Sequence, residues 1–419
     1  MTIYGEKAND VDYVLRPGVY GIAFDALLRV ALVKVPYGYH LPGGGIEAEE
    51  DHESCLRREL LEETGYTIDI AQMISISHQY AYSERSMNYY ELVGHFYVVT
   101  LLEKSAEPIE LDHVLEWHTL EDAQNLLSLE YQREALKIAV EWVISDKKKF
   151  IGLLRNNYHL APDHLSTAFW KYEAWISSDL AKIDSKAFGC VDVILENSLL
   201  YTNRNPHLLL EVLKEDTIDL IVSSNDVSES IDVQNRHETL LNQWKHERFF
   251  KLYKQLEMQK SDGLEESNKN TIPLDSGTFV FKPVESHEIS EVVDFINRSY
   301  VDIGVSEPEV LRWTKSDVYD SALWLWVIHK NTGTKAALGI AELDAKNREG
   351  ILEWIQVEAS FRGEGLGVML VEELMKRMWP KANVVTVSGD VDNETSPIKL
   401  YRKCGFEGEA IWHIYRRKK

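Results

Sequence analysis

The chain has 419 residues, of which 44% are hydrophobic and 27% charged, a composition typical of a soluble globular protein with about two or three domains. The formal net charge of −23 argues against a protein that wraps nucleic acid, because a phosphate backbone needs a basic face. No window of about 18 apolar residues and no basic-then-apolar leader pattern occurs, so we expect no membrane span and no membrane partner.

The cysteines are too far apart for a zinc-binding CxxC pair or an obvious disulfide framework; they are Cys55, Cys190 and Cys404. A reducing compartment is the simplest setting for such a chain, so we expect a cytoplasmic location.

Residues 1–147 alternate strand-like and helix-like runs. Strands are predicted at 19–23, 29–35 and 90–101, and residues 18–35 as a whole read as a hairpin. Helices are predicted at 50–63, with a glycine stop, and within 120–145. This order predicts an α/β/α sandwich with a mixed sheet.

Residues 148–258 form a middle segment whose function the sequence does not assign. Strand-length apolar runs at 191–197 and 218–224 flank a helix-like run at 206–215, and an amphipathic run follows at 236–258. The alternation predicts a small α/β segment. Residues 259–277 are polar and predict a linker, and residues 278–419 have the size of one compact α/β domain.

Three glutamates of the first predicted helix stand at positions i, i+3 and i+4: Glu59, Glu62 and Glu63. These positions share one helix face, where three ionised carboxylates repel one another. Mg²⁺ reverses that penalty, because it prefers oxygen ligands and bridges carboxylates to substrate phosphates. The glycines within residues 41–45 allow a tight turn before the helix. A solvated acidic helix is the alternative for an isolated ExxEE pattern.

The string from Gly44 through Glu50 and Arg58 to Gly65 matches every fixed position of the Nudix box, so the first third of the chain resembles a Nudix hydrolase. Such enzymes cleave a diphosphate linked to another group, commonly a nucleoside. The resemblance implies that Glu59, Glu62 and Glu63 bind Mg²⁺ or Mn²⁺. It also implies catalytic roles for Glu62 and for Arg58, which would hold a catalytic glutamate in place, while Glu50 would support the loop–helix geometry.

The group attached to the diphosphate stays open, with oxidised nucleotides, ADP-ribose and capped nucleotides among the options. Nudix hydrolases often use a further acid from outside the box, for which Glu110 and Asp112 are candidates and ordinary loop acids the alternative. His78, Tyr80 and Tyr82 are placed where substrate could pack, although a surface or core role is the simpler interpretation.

A second pattern begins with a predicted strand at 351–357 and continues into the glycine-rich loop 362–367 and a helix. Glycine backbone at a helix N-terminus presents N–H groups and a positive dipole end to an anion. Farther on, Asn393 precedes Leu400 and Tyr401, which lead to Gly405. An ordinary strand–helix turn is the alternative for the loop alone.

The order of these features resembles the GNAT N-acetyltransferases over residues 278–419, which implies acetyl transfer from acetyl-CoA to an amine. The implied cofactor-binding residues are Ile355, Val357, Arg362, Gly363, Gly365, Gly367 and Asn393. Tyr401 would protonate the leaving thiolate, with a packed aromatic as the alternative. Glu353 is a candidate base or a plain strand residue, and Cys404 is expected to be a small buried residue.

The acetyl acceptor would be selected by residues 295–313, which include Tyr300, Glu307 and Trp313. We expect a bifunctional enzyme acting on a nucleotide or other diphosphate substrate and on an amine, with no nucleic-acid partner. One active domain with a regulatory second domain is the alternative, and a ligand sensor with two inert pockets is a third interpretation.

Overall fold

The computed structural model describes residues 2–25, 28–84, 86–109, 112–158, 161–184, 192–202, 206–226, 239–256, 278–299 and 304–418. By its backbone contacts the chain divides into two compact units. Unit 1 comprises Met1–His164, Glu173–Lys245 and Tyr415–Lys419, and unit 2 comprises Leu165–Tyr172 and His246–Ile414. The linker predicted at 259–277 lies outside the described residues. The domain boundaries predicted at residues 147 and 258 stay predictions.

The elements of the N-terminal part of unit 1 are β1 (Thr2–Tyr4), β2 (Tyr13–Ala23), β3 (Val30–Val35), β4 (Gly38–His40), β5 (Gly43–Gly45), α1 (His52–Thr64), β6 (Tyr66–Ser83), β7 (Asn88–Lys104), β8 (Val114–His118), α2 (Leu120–Leu126), α3 (Glu130–Ile144) and α4 (Lys147–Tyr158). The strands form two sheets, ordered β1–β6–β7–β2–β5 and β4–β3–β8. Parallel pairing of β2 with β7 and antiparallel pairing of β6 with β7 make the first sheet mixed, as predicted.

Helix α1 packs on the first sheet through its apolar face. Leu56 and Leu60 are fully buried together with Val19 of β2 and Val99 of β7. The hairpin predicted at residues 18–35 is reduced to one antiparallel bridge between Phe24 and Val30, because β2 and β3 pair along their lengths with strands of different sheets.

The remaining elements before residue 224 are α5 (Phe169–Ser177), β9 (Ala181–Asp184), β10 (Asp192–Leu195), β11 (Ser198–Thr202), α6 (Pro206–Leu213) and β12 (Leu220–Ser223). The four strands lie in the order β12–β11–β10–β9. Leu209 and Leu213 of α6 are buried with Leu199 and Ile221 of the strands. Strands β10 and β12 and helix α6 confirm the elements predicted here.

The elements from residue 244 onwards are β13 (Trp244–Gln255), β14 (Phe279–Pro283), α7 (Ile289–Ser299), α8 (Glu307–Trp313), β15 (Trp324–His329), β16 (Lys335–Asp344), β17 (Glu349–Val357), α9 (Leu366–Met378), β18 (Val384–Asp390), α10 (Ile398–Lys403) and β19 (Ile411–Arg417). Their strands are neighbours in a sheet in the order β14–β15–β16–β17–β18–β13–β19. The amphipathic run at 236–258 thus contains β13, which pairs with β18 in unit 2 because its aromatic residues suit a strand buried beside α9.

Both faces of this sheet are covered. Helix α9 packs on one face around Leu370 and Leu374, and helices α7 and α8 pack on the other around Phe295 and Val310. The mixed α/β, multidomain fold class is confirmed. Among the described residues no helix has the length and apolar character needed to cross a membrane.

Strand β17 carries two irregularities that shape the site described below. Its parallel pairing with β18 ends at Leu352, whereas the strand continues to Val357. In its pairing with β16, Leu352 and Trp354 face consecutive residues, so Glu353 is the extra residue of a β-bulge.

Candidate active sites

Helix α1, which carries the predicted glutamates, begins and ends with capping interactions. The Asp51 side chain accepts a hydrogen bond of 2.8 Å from the Ser54 amide at the N-terminus. At the C-terminus, Gly65 adopts a φ of 77° and its N–H donates to the Leu61 carbonyl oxygen.

Arg58 gathers three carboxylates on its guanidinium group. It donates to both Glu50 carboxylate oxygens at 2.9 Å, and one of its terminal nitrogens reaches Glu59 at 2.9 Å and Glu62 at 3.1 Å. The hydrogen bonds from Arg58 lower the pKa of Glu50 to about 2. The predicted partners Glu50, Glu59 and Glu62 are therefore all held by the Arg58 guanidinium group.

Glu63 lies on the same helix but is held separately. It is only 3% exposed, and its carboxylate accepts a hydrogen bond of 2.8 Å from the Gly43 amide. His113 Nδ1 and His40 Nε2 lie 3.2 and 3.8 Å from the other Glu63 oxygen. The ligand atoms of His40, Glu63 and His113 all lie within 4.8 Å of one another.

The two histidines beside Glu63 were absent from the residues predicted by sequence. His40 ends β4 just before the glycine-rich turn, and His113 precedes β8. The position of His40 next to the glycines was a usable signal. The only sequence signal for His113 was its position next to the candidate acid Asp112, and Asp112 itself is exposed in the structure. Glu110, the other predicted outside acid, lies outside the described residues.

Glycines of the turn before α1 are required by close approach. A Cβ on Gly44 would lie 2.5–2.7 Å from the Glu59 carboxylate atoms. Gly43 has a φ of +136°, and a Cβ there would clash with the Val19 carbonyl oxygen. The turn therefore brings backbone directly against the carboxylates of α1.

The aromatic candidates on β6 belong to a cluster of tyrosines. Tyr80 packs edge-on against Tyr13 with ring centroids 5.0 Å apart, and Tyr82 packs against Tyr89 at 4.8 Å. His78 Nδ1 lies 3.2 Å from a Glu91 oxygen. These contacts give the three residues structural partners on strands β2 and β7 of the same sheet.

In unit 2 the glycine-rich loop leads directly into helix α9. Gly363 and Gly365 have φ values of 89° and 82°, and Gly365 is the residue before the helix begins. Arg362 donates to the Val357 carbonyl oxygen at 3.3 Å, which joins the loop to the end of β17. The first N–H groups of α9 point out of the helix end, as at any helix N-terminus.

The remaining predicted residues of unit 2 lie around helix α10. Tyr401 is 7% exposed, with its ring centroid 5.8 Å from Phe406 and 6.3 Å from Phe250. The Asn393 side-chain oxygen accepts hydrogen bonds from the Thr395 amide and hydroxyl at 2.9 and 2.6 Å and so shapes the turn before α10.

Cys404 is buried, and burial raises the pKa of its thiol to about 11, which agrees with the expectation of a small buried residue. Of the acceptor-side candidates, Glu307 is exposed at the start of α8, and the Trp313 ring stacks on Trp354 at 5.9 Å. Tyr300 lies outside the described residues.

Unit 1 therefore contains an α/β fold in which the glutamates of α1 are held by Arg58. Unit 2 contains an α/β fold in which a glycine-rich loop leads into α9, beside the point where β17 and β18 stop pairing. The family model of the NUDIX domain matches residues 14–139, and that of the acetyltransferase (GNAT) domain matches residues 322–408. The chain thus contains an N-terminal NUDIX domain and a C-terminal GNAT acetyltransferase domain, as the sequence resemblance predicted.

Two curated mouse (Mus musculus) proteins, diphosphoinositol polyphosphate phosphohydrolases 3-alpha and 3-beta, are each 29% identical over 103 residues. That stretch covers 25% of this chain and 60% of the length of each relative.

Among solved structures, a GCN5-related N-acetyltransferase from Sphaerobacter thermophilus is similar at 13% identity and a TM-score of 0.41, covering 67% of this chain and 91% of that chain. A NUDIX hydrolase from Nitrosomonas europaea is similar at 16% identity and a TM-score of 0.27, covering 31% and 90%.

Proposed function

We propose that the chain is a bifunctional enzyme that hydrolyses a diphosphate bond at the NUDIX site and transfers an acetyl group to an amine at the GNAT site. The observation that carries the hydrolase half is the convergence of Glu59 and Glu62 on Arg58, with Glu63 buried against the preceding glycine turn. Such a concentration of carboxylates is costly unless cations share it.

The residues present fit a divalent metal. Glu59, Glu62 and Glu63 would supply carboxylate oxygens to Mg²⁺ or Mn²⁺, which polarises phosphorus and lowers the pKa of bound water when present. Arg58 holds two of these carboxylates in place and offsets part of their negative charge. The Gly43 amide fixes the orientation of the Glu63 carboxylate.

The substrate of this half is proposed to be a nucleoside triphosphate or a nucleoside or inositol compound carrying a diphosphate. The family supports the diphosphate, and the names of the curated relatives add the inositol option. The test is release of phosphate or pyrophosphate by the full chain with Mg²⁺ against a panel of triphosphates, nucleoside diphosphate sugars, ADP-ribose and a diphosphoinositol polyphosphate. Absence of release from the whole panel with either Mg²⁺ or Mn²⁺ would contradict this half.

The acetyltransferase half is supported by the end of the pairing between β17 and β18 at Leu352. Backbone groups of Ile355 and Val357 lie on this part of the strand and would pair with the pantetheine arm of acetyl-CoA. The amides of Arg362, Gly363, Gly365 and Gly367 would hold its pyrophosphate at the start of α9. Asn393 would contact the cofactor arm.

In the proposed transfer the acceptor nitrogen attacks the thioester carbonyl carbon. The C–N bond would form as the C–S bond breaks, and Tyr401 would donate its proton to the departing sulfur. The proton lost by the acceptor nitrogen would pass to solvent, from which Tyr401 regains a proton. Thiol release from acetyl-CoA, followed with a panel of amines, tests this half. Turnover of either half also excludes a sensor with two inert pockets, and turnover of only one half favours a regulatory role for the other.

The partners proposed for both sites are small molecules. The net charge of −23 supports the expectation that nucleic acid is not a partner. We also retain the absence of a membrane partner and the cytoplasmic location as proposals.

A further inference from the structure

We propose that Glu342 and Glu353 form the ammonium-binding part of the acetyl-acceptor site in unit 2, and that the amino group of Lys171 occupies it as an internal substitute for the acceptor. This inference rests on the proposed acetyl transfer. It assigns the acceptor to the class of unbranched alkyl primary amines, because that is the group that Lys171 presents.

The position of Glu353 is the first argument. It is the extra residue of the bulge in β17 and the first residue beyond the end of the pairing with β18. The proposed thioester arm would run along this same stretch of strand. A carboxylate at the bulge is therefore next to the place where an attacking nitrogen is needed.

The second argument is the arrangement of charges. Glu342 lies on β16 on the opposite face from Ala341 and Leu343, which pack under α9. Lys171 Nζ lies 2.5 Å from a Glu353 oxygen and 3.8 Å from a Glu342 oxygen. Two carboxylates thus lie close to one ammonium group, whereas an ion pair requires only one carboxylate.

Burial raises the pKa of Glu342, and repulsion from Glu353 raises it further, while Lys171 opposes both effects. Burial by itself would lower the pKa of Lys171, but Glu353 and Glu342 outweigh it and the pKa is raised. A partly buried triad of this kind stabilises a fold poorly compared with packed apolar side chains. A binding role accounts for its presence better than a stabilising one.

The third argument is that the segment carrying Lys171 is docked by other contacts. Phe169 is fully buried and its amide donates to Glu349 at 2.9 Å. Lys251 Nζ donates to the Thr167 carbonyl oxygen at 2.6 Å. The Lys171 ammonium can therefore leave the carboxylates while the backbone of Leu165–Tyr172 stays in place.

A buried polar side chain on the same face of β17 adds a fourth observation. Gln356 pairs with Leu338, which packs in the cluster of α7 and α8, so its side chain faces that side of the sheet. It is 5% exposed, and among the described residues neither of its amide atoms has a hydrogen-bond partner. Such a group is costly unless a ligand supplies a partner, which an acceptor or thioester on this face would do.

The test compares the full-length chain with Lys171→Met, using cadaverine as the probe amine. An occupant that fills the site about nine-tenths of the time weakens apparent binding about tenfold. Lys171→Met is therefore expected to lower the KM for cadaverine about tenfold, with the KM for acetyl-CoA unchanged. Lys335→Met is the matched control, because Lys335 also lies between two carboxylates, at 2.6 Å from Glu288 and 2.7 Å from Glu291.

Calorimetric titration with cadaverine separates this inference from the transfer reaction. Tight binding by Lys171→Met, lost in Lys171→Met/Glu353→Gln, supports the site even if no amine is acetylated. The variant Lys171→Gln removes the ammonium group, leaves both carboxylates intact and keeps the test available if Lys171→Met unfolds. Unchanged cadaverine KM and binding in all Lys171 variants, with acetyl transfer intact, would overturn the inference and leave the proposed function standing.

Discussion

At the scale of single residues, the NUDIX site depends on charge balance within α1. Arg58 contacts Glu50, Glu59 and Glu62, so three carboxylates share one positive charge. Glu63 is buried and contacts Gly43, His40 and His113 instead. The two kinds of glutamate therefore have different surroundings, although both are proposed metal ligands.

Substituting Glu62 or Glu63 by glutamine is expected to lower hydrolysis by about 10²- to 10⁴-fold, because a neutral amide replaces a proposed charged ligand. The fold should persist, since the change relieves repulsion between neighbouring carboxylates. Turnover with saturating Mg²⁺ and the thermal midpoint of each variant are the measurements. Near-normal turnover in both variants would contradict the metal assignment.

His113→Ala is expected to raise the Mg²⁺ or Mn²⁺ concentration for half-maximal hydrolysis by about 10- to 100-fold, because His113 Nδ1 lies 3.2 Å from the Glu63 carboxylate and is proposed to orient it. The maximal rate at saturating metal should change less, which marks His113 as a positioning residue. His78→Ala is the matched control, since its 3.2 Å pair with Glu91 lies outside the box. An equal effect of the two variants would count against the role of His113.

Both described cysteines should be unreactive in the folded chain at pH 8. Burial raises the pKa of Cys55 to about 12 and that of Cys404 to about 11. The unfolded chain loses these protons first as pH rises above about 9, so the free energy of unfolding should fall from there towards pH 12. Alkylation mapped by mass spectrometry checks the reactivity, with denatured protein as the reference, and equally fast labelling in both states would refute it. Chemical denaturation at increasing pH checks the fall in the free energy of unfolding.

At the scale of elements, α1 is defined by its ends as well as by its apolar face. Asp51 caps the N-terminus, and Gly65 ends the helix in the left-handed region. A Cβ on Gly65 would clash with the Ala106 carbonyl oxygen. Both ends of the helix that carries the carboxylates are thus fixed by specific contacts.

Two glycine-to-alanine substitutions should change stability in opposite directions. Gly65→Ala is expected to destabilise unit 1 by at least about 1 kcal/mol, from the positive φ and the clash. Gly152→Ala, within helix α4 where a Cβ meets no atom within 4 Å, should stabilise it by about 0.5–1 kcal/mol. Chemical denaturation measures both, and a loss of stability in Gly152→Ala would show that helix propensity is not the controlling factor there.

At the scale of the whole molecule, the two units are not simple consecutive stretches. Leu165–Tyr172 belongs to unit 2, and Tyr415–Lys419 belongs to unit 1. Strand β13, which precedes the predicted linker, pairs with β18 of unit 2. Each proposed site is nevertheless built from residues of one unit.

The two activities should therefore be separable by single substitutions. Glu62→Gln should lower the release of phosphate or pyrophosphate by the factor given above and leave thiol release from acetyl-CoA unchanged. Tyr401→Phe should slow acetyl transfer and leave both CoA binding and phosphate release unchanged. Loss of CoA binding in Tyr401→Phe would mean that the residue serves packing, and loss of both activities in either variant would contradict independent sites.

The sequence by itself determined the local features of this protein, which depend only on residues close together along the chain. Helix α1, its glycine stop and the shared face of Glu59, Glu62 and Glu63 follow from helical spacing, and the loop before α9 follows from its glycines. Both families were recognisable because their motifs are local strings.

Only the tertiary structure decided which distant residues join these motifs. His113 lies 50 positions beyond Glu63, and Lys171 lies 182 positions before Glu353. The placement of β13 beside β18 likewise depends on a pairing made far along the chain. Spacing patterns report the periodicity of a single helix or strand, whereas contacts between remote segments are set by how whole faces pack, which no local pattern contains.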